Sequence, residues 1–215
     1  MDAYQEFIKE LKIDFDDFIE FGINGTIYPS EESIATFWAE LKRRIKDGEA
    51  VRVRTYGKYG RKSQILVDFY SFCNINAVVD SNNNYTPTKN LEKLTNKIKN
   101  KDLLNYQVSH IFGQTKNVYM FESPWNICYV PKMIDPLTGH ESKGKFSVEY
   151  KKKWLSGIIK KHKVFIDDYN KIMDDFKINE KLDAFMSDSE VKKKYDSKQL
   201  VDFKKNILKD FEKIY

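Results

Sequence analysis

A chain of 215 residues with 37 Lys and Arg against 32 Asp and Glu carries a formal charge of +5, and its length suits one domain, or one domain with a helical extension, that folds without disulfides. No apolar run approaches the roughly 18 residues of a membrane span, and the start MDAYQEFIKELK is acidic and amphipathic rather than a signal peptide. Cys73 and Cys128 stand in apolar or aromatic surroundings without CxxC spacing, which excludes a cysteine zinc site and reads as buried thiols in a soluble, cytoplasmic protein.

The first helix is predicted over Ala3 to Phe21, where Phe7, Ile8, Leu11, Phe15, Phe18 and Ile19 recur at helical spacing. A second starts at the Ser30 cap, with Glu31 and Glu32 in its first turn, and runs through Ile34, Phe37, Trp38, Leu41 and Ile45 to Gly48. Val51, Val53 and Thr55 then alternate with Arg52, Arg54 and Tyr56 before the Gly57 to Gly60 turn, and a second strand is expected over Ser63 to Phe69, making a β-hairpin. SNNNYTPTKN reads as a loop, followed by a short polar helix. From Ser147 onward the pattern is helical: Val148 to Phe176, Glu180 to Met186, Ser189 to Lys194 and Ser197 to Tyr215. The lysine runs on these helices read as a solvated face.

All five arginines fall between Arg43 and Arg61. Arg52 and Arg54 share one face of the expected hairpin, and Lys58, Arg61 and Lys62 add charge at its turn; with Lys116 they form the predicted nucleic-acid surface. An edge strand kept soluble by charge would look the same in sequence.

Two of the three histidines lie within QVSHIFGQTKNVYMFESPWNICYVPKMIDPLTGHE, residues 107–141. The β-prone Tyr106-Gln107-Val108 delivers His110 to a strand end; a polar loop and an aromatic patch follow, then Asn126, the apolar ICYV and Pro131, with Asp135 and His140 beyond. Taken singly, each polar residue has a structural explanation as a turn or cap.

Taken together, Ser109-His110-Ile111, Asn126-Ile127-Cys128-Tyr129-Val130-Pro131 and Asp135 resemble the HNH, or ββα-metal, nuclease family over about 35 residues. The resemblance implies that His110 takes a proton from water, that Asn126 holds the histidine-bearing loop, and that Asp135 or His140 binds a metal. Asp135 suits Mg²⁺ or Mn²⁺, whereas His140 suits softer ions. Ser109 stands where the family usually has a metal-binding Asp, and a hydroxyl is a weaker ligand.

The expectation is therefore an α+β fold, mostly helical with a small β-hairpin region and a central ββα-metal-type unit. It divides into an N-terminal helical and hairpin region (1–100), a catalytic unit (101–146) and a helical region (147–215). The implied function is that of a magnesium-dependent, restriction-type endonuclease on double-stranded DNA, with a homodimer cutting both strands of a palindrome. A non-catalytic DNA-binding protein on a degenerate HNH scaffold and a helical interaction protein are the alternatives.

Overall fold

A computed structural model describes residues 2–55, 63–80, 82, 84–139 and 142–215. Lys58, Arg61, Lys62 and His140 lie outside the described residues. The fold is α+β, mostly helical, with two small two-stranded sheets. Among the described residues, no helix is long and apolar enough to cross a membrane.

The N-terminal helix expected as one piece is two, α1 (Ala3–Glu10) and α2 (Phe15–Gly25). Lys12 takes a positive φ of 55°, and the Asp14 carboxylate accepts from the amides of Asp16 and Asp17 to start α2 afresh. A side-chain cap satisfies amide donors that the first turn of a helix leaves without partners. Helix α3 (Glu31–Lys46) begins at the Ser30 cap as the sequence predicts. It buries Ile34, Trp38, Leu41 and Ile45 along one face.

The expected hairpin over residues 51–69 is not formed. Strand β1 (Val51–Val53) pairs in parallel with β2 (Ala77–Val79), and Ser63 to Phe69 belongs to helix α4 (Gln64–Phe72) with its cap rather than to a strand. Parallel strands need a crossover, which α4 provides. Ile65, Leu66, Phe69 and Tyr70 are buried at helical spacing; aromatic and β-branched residues made that stretch look like a strand, but the period of its burial is a helix's. Helix α5 (Tyr85–Thr95) follows β2.

Strands β3 (Tyr106–His110) and β4 (Ile127–Pro131) form an antiparallel hairpin in which Ser109 faces Cys128 and His110 faces Ile127. Ile27 bridges the other edge of β4 through two backbone bonds with Tyr129, 2.9 and 3.0 Å. Every residue of β4 is buried. One face of the hairpin, with Val108, Ile127 and Tyr129, packs with Leu91 of α5 and Leu103. The other, with Cys128 and Val130, packs on Ile8, Phe18 and the elements that follow β4: the short α6 (Asp135–Thr138) and α7 (Lys145–Lys161).

The long helix expected to Phe176 breaks once, at His162, into α7 and α8 (Lys163–Phe176). Helices α9 (Ile178–Ser187), α10 (Ser189–Lys194) and α11 (Ser197–Asp210) complete the chain, α11 starting on a capping box between Asp196 and Gln199. The largest core cluster joins Trp38 and Phe69 to Trp125, Tyr169, Phe185 and Phe203, so its packing runs through all three sequence regions. Both cysteines are free, Cys128 fully buried and Cys73 half-buried.

Candidate active site

His110 ends β3, and its ring stacks on Phe121 with centroids 5.3 Å apart. Its Nε2–H donates to the Phe121 carbonyl oxygen at 3.0 Å. A carbonyl only accepts, so this contact places the proton on Nε2 and leaves the Nδ1 lone pair free to take another. Burial pushes the imidazole from its ordinary value near 6.5 down to about 4; the Phe121 carbonyl favours the protonated ring, the charge of Arg54 opposes it, and Asp80 favours it. His110 is therefore neutral near pH 7.

Asn126 is fully buried and its amide is spent on backbone. Oδ1 accepts from the Phe112 amide at 2.9 Å, and Nδ2 donates to the carbonyls of Gly113 at 3.1 Å and Met120 at 2.9 Å. The Ile111 amide adds a backbone bond to the Asn126 carbonyl at 2.8 Å. One side chain thus ties both ends of the loop between β3 and β4, including the turn before Phe121, and so fixes the carbonyl that orients His110.

Consecutive residues of a strand point to opposite faces. Ser109 meets α6, its Oγ 3.4 Å from Thr138 Oγ1. Asp135, half-buried at the head of α6, lies near enough to Cys128 to help raise that thiol, although burial is the larger cause. His110 looks the other way, toward Arg54 at the end of β1 and Asp80 at the end of β2. The structure brings Ser109 and Asp135 to one side of the hairpin and His110 to the other.

Among the described residues, no group of three His, Cys, Asp or Glu side chains could hold a metal ion. Asp135 brings one carboxylate, on the face of the hairpin away from His110, and so does not make a magnesium site at the imidazole. Nor does it fit a soft ion, which wants nitrogen or sulfur.

The arginines divide sharply. Arg43 pairs with Glu40, Asp47 and Glu49, and Arg44 pairs at 2.9 Å with the buried Glu122, which also accepts from the Arg52 amide. Arg52 and Arg54 are exposed and flank the buried Val53, as expected, and no carboxylate among the described residues pairs with either guanidinium. Lys116 is drawn inward instead: its Nζ lies 3.0 Å from Asp210 Oδ2, and its amide donates to Oδ1. That engages its charge in an ion pair, with 26% of the side chain still exposed.

The sequence reading missed three residues. Glu122 is an acid within the apolar VYMFESPW, a pattern that signals a buried pair. Asp80 closes AVVD ahead of a helix start; its carboxylate accepts from the amides of Asn82, Tyr85 and Thr86, and although burial works to raise its pKa, those bonds hold it below the usual range. The Phe121 carbonyl has no sequence signal at all, because any residue supplies one.

Residues 29–215 match the family described as "Uncharacterised protein PM1201". The chain belongs to the PM1201 family. A relative of that description from Pasteurella multocida is 41% identical over 178 residues, 82% of this chain and 81% of that protein. No solved structure matches. The PM1201 span holds every candidate site residue, while α1 and α2 lie ahead of it.

Proposed function

We propose that this protein hydrolyses phosphodiester bonds of double-stranded DNA as an HNH-like endonuclease, with His110 taking the proton of the attacking water. The observation that carries the reading is the Asn126 clamp. A fully buried amide makes three backbone bonds that immobilise the loop, and the loop's own carbonyl presents a neutral imidazole with Nδ1 unprotonated. A base held in one tautomer needs no reorganisation when the water attacks. Asp135 and Ser109 lie on the face of the hairpin opposite His110, so they do not fit as holders of a magnesium ion at the phosphate that His110 would serve, and the reading rests on His110 and the clamp.

The depressed pKa of His110 suits binding before chemistry. An anionic phosphate next to the ring favours its protonated form, so substrate raises the basicity that burial lowers. The test is incubation of the pure protein with unmethylated phage DNA and Mg²⁺ or Mn²⁺. Discrete fragments are expected, and His110→Ala is expected to reduce the cleavage rate about 10² to 10⁴-fold with DNA affinity little changed. Cleavage by His110→Ala at the parent rate would refute the assignment.

A further inference from the structure

Helices α9, α10 and α11 surround an open hollow of about 370 Å³, lined by Met186, Tyr195, Leu200 and Val201 with Lys192 and Asp196 beside them. Its wall is mostly apolar, and Val201 is 58% exposed. Three acids of this region are already engaged. Asp196 caps α11 through the Gln199 amide, Glu190 pairs with Lys193 at 2.6 Å, and Asp68 pairs with Lys194 and accepts from the Tyr195 hydroxyl at 2.6 Å. Lys198 and Lys205, three residues before Val201 and four after it, share its side of α11. Both are exposed, as is Lys192, and none of the three pairs with a carboxylate among the described residues. Apolar wall and uncompensated positive charge therefore adjoin.

Helix α1 carries the complementary face. It buries Ile8 and leaves Phe7 and Leu11, four residues apart and so on one stripe, 41% and 56% exposed. Glu6 and Glu10 form the neighbouring stripe, exposed and without a cation among the described residues. Neither Phe7 nor Leu11 lines the hollow of its own chain.

We propose that the hollow between α9 and α11 receives α1 of a second copy of this chain, Phe7 and Leu11 entering against Met186, Leu200 and Val201 while Glu6 and Glu10 meet Lys198 and Lys205. Each copy offers both faces, so a two-fold pair closes with two such contacts and leaves neither face open. Apolar burial supplies the affinity, and the charges set partner and register. A nucleic-acid backbone would answer the lysines and leave the apolar wall in water, whereas α1 answers both. The inference is independent of the nuclease reading, and its test uses no DNA.

Sedimentation velocity of the full chain at low ionic strength is expected to show a reversible dimer that added salt weakens. Leu11→Glu and Val201→Glu, both at exposed positions, should each reduce the dimer affinity by about tenfold or more, since each sets a carboxylate against an apolar surface. Mixed in equal amounts, the two variants should associate more tightly than either alone, because α1 of the Val201→Glu protein meets an unaltered hollow on the Leu11→Glu protein. A pairing of like faces, α1 on α1 or α11 on α11, gives no such recovery. Lys198→Glu with Lys205→Glu should weaken the dimer, and adding Glu6→Lys with Glu10→Lys in the same chain should restore it. A parent that stays monomeric would overturn the proposal and leave the hollow to a segment of another protein. Variants that dimerise like the parent, or a mixture no tighter than its parts, would overturn it as well.

Discussion

Replacing Asn126 by alanine tests the clamp directly, and the structure sets the size of the effect. The Phe112 amide loses its 2.9 Å bond to Oδ1 and is left inside the protein without an acceptor, a penalty of about 1–3 kcal/mol. The Gly113 carbonyl loses a 3.1 Å donor, a net contribution of roughly 1 kcal/mol. The Met120 carbonyl loses less, because the Ser123 amide still donates to it at 3.3 Å. With the small void added, the sum is about 3–5 kcal/mol, a large part of the roughly 5–15 kcal/mol of a typical domain. Urea unfolding at neutral pH measures it, and the ring resonances of His110 report in the same samples whether its orientation survives. Asn126→Asp should fall between, since it keeps the acceptor for Phe112 but sets a carboxylate oxygen against two carbonyls. A loss under about 1 kcal/mol in Asn126→Ala, with the His110 resonances unmoved, would refute the claim that this side chain holds the loop.

Two further outcomes follow from the packing around the site. A β-carbon at Gly22 would lie 2.3 Å from the buried Tyr150 hydroxyl oxygen, so Gly22→Ala should cost about 1–3 kcal/mol in thermal or urea unfolding; Tyr150→Phe should recover part of it, because the hydroxyl makes no hydrogen bond to lose, and no recovery would mean that the clash lies elsewhere. His162 is buried between the Tyr28 and Phe165 rings with Nε2 unpartnered, and burial, aided by the neighbouring Lys161, lowers its pKa from 6.5 to about 4. The unfolded chain then binds the proton first as pH falls below 6.5, so stability declines through the window from 6.5 to about 4. Between neutral pH and pH 5 this amounts to roughly 2 kcal/mol. His162→Phe should remove that much of the decline, with the part due to His110 remaining, and a variant with the parent's full pH dependence would contradict it.

The sequence shows some of this architecture and hides the rest for definable reasons. Helix α3 is visible because its signals are local, a Ser30 cap and acids in the first turn followed by apolar residues at helical spacing. The loop clamp is visible in part, since Asn126 was singled out and its amide does hold the loop that carries the His110 contact. The pairing of β1 with β2 is invisible because each strand is three residues long, too short for a period, and the partner lies beyond a helix. Breaks at Asp14 and His162 are hidden by apolar spacing that carries across them. The backbone bond from Arg54 to Thr115 joins the end of β1 to the loop after β3, and the expected hairpin, which placed Arg54 on a free arm with Arg52, could not reveal it.

The loop between β3 and β4 is held at its outer end as firmly as at its base, and this explains why a two-stranded hairpin here is embedded in so much helix. Asn117 is fully buried, and its Nδ2 donates to the Tyr169 hydroxyl of α8 at 3.2 Å and to the Asp210 carbonyl at the end of α11 at 3.0 Å. Its Oδ1 accepts from the Tyr119 amide at 2.9 Å, while Lys116 pairs with the Asp210 carboxylate and Gln114 donates to the Glu212 carbonyl at 2.7 Å. Buried polar networks of this kind rigidify when every member is satisfied, and a two-stranded hairpin alone is marginal in water. The carbonyl that orients His110 lies between these two sets of bonds, four residues beyond Asn117 and five before Asn126. Helices α8 and α11 therefore act on the imidazole without touching it, by removing the freedom of the loop that would otherwise let the Phe121 carbonyl turn away.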